Sequence, residues 1–421
     1  MIEARREIAV LDIGTSKICC AIAKKDSKPH NFELLDENRI RVIGFGHQLA
    51  RGIKRGAITN LEELEDSILN AIASTEKDIM KSVKSVLIAL PSWALTSDYI
   101  QTFIPLGQLP VDDIHIMSLL NPDTSKYIDL TSRKIIHMFP TTYSIDDAHG
   151  IQDPIGMIGD NLSTLVHVIT APLTLIKNIK NCLNRNNIFV EGFVSSSYAS
   201  SLSVLLPEEM SSGATVIDFG GSTTTISFFQ DKALLHVETM PVGSQNITND
   251  ISIILRTATA HAERLKILYG VTSGDILNSH EEQCLIPRID EYGEEHVQNV
   301  SRGMLDSIIG ARLGEIFELI QERIRKSGAD SSITQRVIIT GGGSRISGLS
   351  EFIKAKQYLG GSSVRLGKPI SVTGSNDFVQ TSSFSTCAGS VVYFLSDKLD
   401  KMPKSKKSLR QKIITWFKRG I

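Results

Sequence analysis

A chain of 421 residues exceeds what one compact domain holds, so two to four modules are expected. Its apolar content of 41% is ordinary, no stretch reaches the roughly 18 uncharged apolar residues of a membrane span, and five cysteines without a CxxC pair argue against a zinc site or disulfide framework. The net charge of −1 hides an asymmetry: the last 21 residues carry eight Lys/Arg and no acid, leaving 37 basic against 46 acidic residues in the body.

The chain starts Met1-Ile-Glu-Ala-Arg-Arg-Glu and runs straight into an apolar strand, without the layout of a signal peptide. That strand opens the segment Ile8-Ala-Val-Leu-Asp-Ile-Gly-Thr-Ser-Lys-Ile-Cys-Cys-Ala-Ile, an apolar run, an Asp-x-Gly turn with small hydroxyl residues, then a second run. Asp12 ends the first strand beside Gly14, Thr15 and Ser16, and Lys17 follows as a point charge. Leu61 to about Met80 reads as a helix. The stretch that follows offers short strands, Pro-containing turns and a helix near Val111–Leu120.

Half a chain later the pattern returns as Ala214-Thr-Val-Ile-Asp-Phe-Gly-Gly-Ser-Thr-Thr-Thr-Ile-Ser-Phe. Here Asp218 stands beside Gly220, Gly221, Ser222 and Thr223. Glycine permits such a turn and lets backbone N–H groups reach a phosphate without an intervening Cβ. A carboxylate at the strand end can hold a hydrated Mg²⁺. Ile247 to Tyr269 reads as one helix, in which the spacing of Glu263 and Lys266 by itself favours an i,i+3 ion pair on a solvated face. Val337-Ile-Ile-Thr, the turn Gly341-Gly342-Gly343-Ser344 and a helix from Ile346 onward form a strand–glycine–helix pattern, a general way to seat a nucleotide that alone is more often only a tight turn.

Two phosphate hairpins and a later Gly-rich turn describe a nucleotide clamped between related halves. This layout resembles the actin, DnaK-type chaperone and sugar-kinase superfamily. The resemblance implies an α/β, duplicated actin-like (ribonuclease H-like) fold with two lobes around the cleft. It also implies ATP with Mg²⁺, Glu263 and Lys266 near the adenosine, and Asp12 and Asp218 beside the metal. Arg51-Gly-Ile-Lys-Arg-Gly-Ala-Ile, His137-Met-Phe-Pro-Thr-Thr-Tyr-Ser-Ile-Asp, Gly150-Ile-Gln-Asp-Pro-Ile-Gly-Met and Ser244-Gln-Asn-Ile-Thr-Asn-Asp-Ile narrow the choice. These strings resemble the FtsA family, whose inserted subdomain replaces the usual second subdomain of actin.

The family pattern divides the chain as follows. Residues 1–85, 166–206 and 384–396 form a first actin-like subdomain, 86–165 the insert, 207–246 with 330–383 the second actin-like subdomain, and 247–329 a nucleotide and partner subdomain. A linker over 397–407 and an amphipathic helix over 408–421 follow. In that family the fourth of these subdomains receives the C-terminal peptide of the tubulin-like protein FtsZ. Arg302 and Arg312, in the helical Gly303–Ile324 region, are the matching basic candidates, and a role as solvated helix charges fits their sequence equally well. The resemblance further implies protofilaments on the cytoplasmic face of the inner membrane at the septum, recruitment of later division proteins, and no nucleic-acid partner.

Departures from the pattern bear on chemistry. Ser222 stands where the family usually has a third glycine, and Thr225 where it has an acid; Asn161 replaces a common Arg. Hydrolysing relatives place a Glu near the strand end that here reads Ser195-Ser196-Ser197, which offers no base. ATP binding with at most slow hydrolysis is therefore expected, and a small-molecule kinase on the same fold would lack its catalytic acid.

Lys401-Met-Pro-Lys-Ser-Lys-Lys is a polar linker and Ser408 a plausible N-cap. At helical spacing Leu409, Ile413, Trp416, Phe417 and Gly420 form one ridge, with Lys412, Lys418 and Arg419 on other faces. Burial is worth roughly 1.5–3 kcal/mol per large side chain, and each basic residue adds roughly 1 kcal/mol over anionic lipid. That suffices for reversible peripheral attachment; the alternative is a helix folded back on the acidic body. The tail also separates this chain from the PilM-type pilus-assembly proteins, which share the insert.

Overall fold

A computed structural model of the protein describes residues 7–25, 40–54, 57–120, 131–271, 283–289, 295–374 and 380–395. The predicted linker and amphipathic helix, with Leu409, Lys412, Ile413, Trp416, Phe417, Lys418 and Arg419, lie outside the described residues.

Uninterrupted apolar runs are what a strand buried on both faces requires, and they build two sheets of matching design. In spatial order the first lobe sets out Phe189–Ser195, Ser85–Leu90, Glu7–Ile13, Lys17–Lys25, Ile40–Leu49 and Val372–Gly374. The second repeats the plan with Ser363–Leu366, Arg336–Thr340, Ala214–Phe219, Thr224–Gln230 and Ala233–Met240. In each, an antiparallel hairpin is flanked by a parallel strand. Asp12 lies opposite Cys19 and beside Ala89; Asp218 lies opposite Thr225 and beside Thr340. The internal repeat in the sequence is thus a repeat in the backbone.

Between the sheets, helix Ser196–Val204 touches strands of both lobes and packs on helix Ser385–Leu395. The helices meet so closely that a Cβ on Gly389 would stand 1.6 Å from the Ala199 carbonyl oxygen. The buried serines of this helix donate to backbone carbonyls, Ser201 to Ser197 O at 2.7 Å and Ser203 to Ser200 O at 2.8 Å, which satisfies them locally. Helix Leu61–Ile79 forms as its sequence predicts: the Asn60 side chain accepts from the N–H groups of Glu62 and Glu63, and Leu64, Ile68, Ala71 and Ile72 make its buried stripe. All five cysteines are buried and free.

The structure corrects the sequence reading in three places. Ile247–Tyr269 is two helices, Ser244–Leu255 and Thr259–Tyr269, separated where Arg256 takes φ 47° and Ser252 Oγ donates to Thr257 O at 2.7 Å. The last two glycines lie within a 3₁₀ turn, Gly342–Arg345, and the helix begins only at Leu349. The insert carries long strands: Thr96–Pro105, Asn161–Pro172, Arg133–Ile145 and short Ala148–Ile151 form a four-stranded sheet in that order. Pro140 sits inside one of them because the register shifts between Leu165 and Val166, so that Thr141 is an extra residue in the ladder. Helix Asp113–Leu119 of the insert falls where expected.

Candidate functional site

The two hairpins face each other across a cavity of about 410 Å³. Asp12, Gly14, Thr15, Ser16 and Lys17 line it from the first lobe; Asp218, Gly220, Gly221 and Thr223 line it from the second, and Gly341, Gly342 and Gly343 close one side. The hairpins are closed by the same bond: Gly14 N–H donates to Lys17 O at 3.1 Å and Gly220 N–H to Thr223 O at 3.0 Å. They approach so tightly that a Cβ on Gly221 would lie 1.9 Å from Ser16 Oγ. Gly341 has φ +86°, and a Cβ there would meet Asp218 Oδ1 at 2.4 Å, so this position tolerates only glycine. Gly342 differs: nothing but Ser383 Oγ lies within reach of its Cβ, at 3.8 Å, and its open side is the cavity. Ser222 is the exception among the predicted residues. It does not line the cavity.

Asp12 and Asp218 come from opposite lobes and feel each other's charge. Burial pushes the Asp12 carboxyl up to about 7; Lys17 opposes the shift and Asp218 adds to it. Burial also raises Asp218, against a hydrogen bond from Ser200 and the charge of Lys17. Removal from water is the leading cause of both shifts. No group of three or more His, Cys, Asp or Glu among the described residues is arranged as a metal cage. Burial lowers Lys17, whose ammonium stands 3.9 Å from the centroid of the Phe384 ring.

Glu263, Lys266, Ile267, Arg345 and Ile346 also line the cavity. The predicted Glu263–Lys266 pair exists, at 2.7 Å, yet it is not on a solvated face: the Lys266 side chain is 6% exposed. Lys266 Nζ also donates to Thr248 Oγ1 at 2.8 Å and to Ser244 O at 3.2 Å. All its donors are therefore used inside the protein, and Glu263 keeps the freer carboxylate oxygen. Periodicity could not reveal this, because Ser244 and Thr248 belong to the preceding helix.

Arg302 and Arg312 lie away from the cavity. The Arg302 guanidinium packs over the Tyr269 ring, 4.9 Å from its centroid, and donates to the Tyr269 carbonyl. Arg312 is bidentate to Asp250 and donates to Glu315 Oε2 at 2.6 Å. Neither is a solvated free charge. The sequence reading missed Trp93, Arg345 and the Ser382, Ser383, Ser385, Thr386 cluster, all of which line the cavity. The dense hydroxyl run before helix Ser385–Leu395 is the signal that could have found the last four.

Comparison with known proteins agrees with this architecture. Residues 215–389 match the family model described as cell division protein FtsA, and residues 95–170 the model of the SHS2 domain inserted in FtsA. The chain is 35% identical over 390 residues to the cell division protein FtsA of Agrobacterium fabrum, covering 92% of this chain and 86% of that protein. It is 27% identical over 423 residues to the Escherichia coli cell division protein FtsA, covering 99% and 96%. Among solved structures, a PilM–PilN type IV pilus biogenesis complex matches with TM-score 0.62 at 14% identity, covering 92% of this chain and 98% of that chain. An MreB of Spiroplasma citri bound to ADP matches with TM-score 0.53 at 14% identity, covering 98% and 99%, and shares the actin-like fold. With such identity spread along almost its whole length and both family models matched, the chain belongs to the FtsA family of cell division proteins.

Proposed function

We propose that this cell division protein binds ATP with Mg²⁺ between its lobes, polymerises on the cytoplasmic face of the inner membrane at the septum, and tethers the FtsZ ring there through its C-terminal amphipathic segment. The observation that supports it most is the closure of two matched Asp-x-Gly hairpins on one cavity, opposite a glycine turn whose Gly342 is bare toward that cavity. The residues fit the group. Backbone N–H groups of the hairpins and Lys17 would take phosphate oxygens, Asp12 and Asp218 would take the waters of Mg²⁺, and Glu263 would face the adenosine. Bound Mg²⁺ would neutralise phosphate charge. Hydrolysis would be slow at most, because among the described residues the carboxylates lining the cavity are Asp12, Asp218 and Glu263, and Ser196, which follows the strand end and lines the cavity, offers no base.

The subdomain over 247–329 would receive the FtsZ peptide, whose acidic groups would compete with Asp250 for Arg312. The basic 401–421 segment would supply the membrane contact, and the inserted sheet contacts to other copies and to later division proteins.

Titration with a fluorescent ATP analogue and Mg²⁺ tests the cleft. Loss of one charged partner in Asp12→Ala should weaken binding about tenfold or more, and absence of any binding by the unaltered chain would end the nucleotide reading. Flotation on anionic vesicles tests the rest: the full chain should float and a chain ending at Asp400 should not. Flotation of both would move lipid contact into the body.

A further inference from the structure

We infer that Phe384 is a positioning residue for phosphate binding: its ring holds the Lys17 ammonium at the first hairpin while leaving its outward N–H groups available to phosphate oxygens. The inference rests on the nucleotide reading of the cleft. Phe384 does not line the cavity, although Ser382, Ser383 and Ser385 around it do. It is 4% exposed, and its ring is fixed by Phe45, edge-on at 4.8 Å and 87°, and by His47 at 5.4 Å. Lys17 Nζ lies 3.9 Å from the centroid of that ring. Among the described residues this ammonium makes no hydrogen bond and no ion pair.

The contrast with Lys266 carries the argument. Lys266 Nζ is held by Ser244 O, Thr248 Oγ1 and Glu263 Oε2, and so has no donor left for a ligand. Lys17 stands close enough to Asp12 and Asp218 to feel both charges. A lysine on a flexible four-carbon stem would otherwise close onto one of those carboxylates, consuming the donors that phosphate needs and a group that Mg²⁺ needs. An aromatic face attracts the cation through its quadrupole and takes none of the carboxylate oxygens. The ring therefore keeps Lys17 placed and unpaired.

The test replaces Phe384 in the full chain by mono-, di- and trifluorinated phenylalanine, which keep the ring's shape and progressively remove the negative potential of its face. MgATP affinity should fall stepwise along the series, by about 3- to 30-fold in total. Adenosine affinity should stay constant. In a Lys17→Met background the dependence on fluorination should vanish. A flat MgATP series, or adenosine affinity falling in parallel, would overturn the inference while leaving the nucleotide reading standing. Failure of the unaltered chain to bind MgATP would remove both.

Discussion

Acidification should weaken the packing of the inserted sheet onto both lobes, through two buried histidines. His137 Nε2 accepts the Ser195 N–H at 2.9 Å, so that nitrogen must be unprotonated. His167 Nδ1 faces the Leu234 carbonyl at 2.8 Å and so carries the proton, leaving Nε2 to accept from Ser97 Oγ at 2.7 Å. The two rings are 2% and 0% exposed. Burial, aided by the neighbouring His167, holds His137 down at about 3, and burial, with a smaller push from His236, holds His167 at about 4, against an ordinary 6.5. A histidine with a depressed folded-state pKa binds fewer protons folded than unfolded. Stability is therefore complete above 6.5 and lost as pH falls toward 4. At about pH 5, roughly 1.5 units below the unfolded value, each ring costs about 2 kcal/mol at about 1.4 kcal/mol per unit. Asp12, raised to about 7, titrates in the opposite sense, so total stability is not the observable. The observable is the difference between the unaltered chain and His167→Gln. Urea unfolding of both near pH 7.5 and about pH 5 should give an acid-induced loss about 2 kcal/mol smaller in the variant. Equal losses would refute the argument.

Two adjacent glycines should behave differently. Gly341→Ala places a side chain at φ +86° and 2.4 Å from Asp218 Oδ1, so it should destabilise by at least about 1–2 kcal/mol and lower the thermal midpoint. Gly342→Val meets nothing closer than 3.8 Å at its Cβ and should leave the midpoint nearly unchanged while weakening MgATP binding; unaltered affinity would contradict the cleft assignment. Trp416→Glu should release the protein from anionic vesicles without changing its thermal unfolding, and flotation like that of the unaltered chain would remove the anchor.

The parts of the site that are local in sequence were legible before the structure. Asp12 with Gly14 and Asp218 with Gly220 stand on strand ends because an apolar run, an Asp-x-Gly turn and a second run leave the backbone few alternatives, and the pattern occurs twice. The same locality explains helix Leu61–Ile79, whose cap and stripe both lie within its own segment. The spacing of Glu263 and Lys266 alone could not show the burial of Lys266, for the opposite reason. Its partners Ser244 and Thr248 reach it only because the chain breaks at Arg256 and folds helix on helix. The long strands of the insert were hidden by Pro140, whose accommodation depends on a bulge in a ladder with residues 25 positions away.

By itself, then, the sequence determined the duplicated hairpin plan, the identity of the glycine turns that line the cavity and the acidic body with its basic tail, since each follows from backbone preference or composition within a short span. Only the tertiary structure decided which groups share the cleft. It set Asp12 and Asp218 of opposite lobes on one cavity and left Ser222 out of its lining. It also tied Arg312 to Asp250 and set Lys17 over the ring of Phe384. Those pairings join residues separated by up to several hundred positions, and the burial that fixes them is a property of the packed lobes that no local pattern contains.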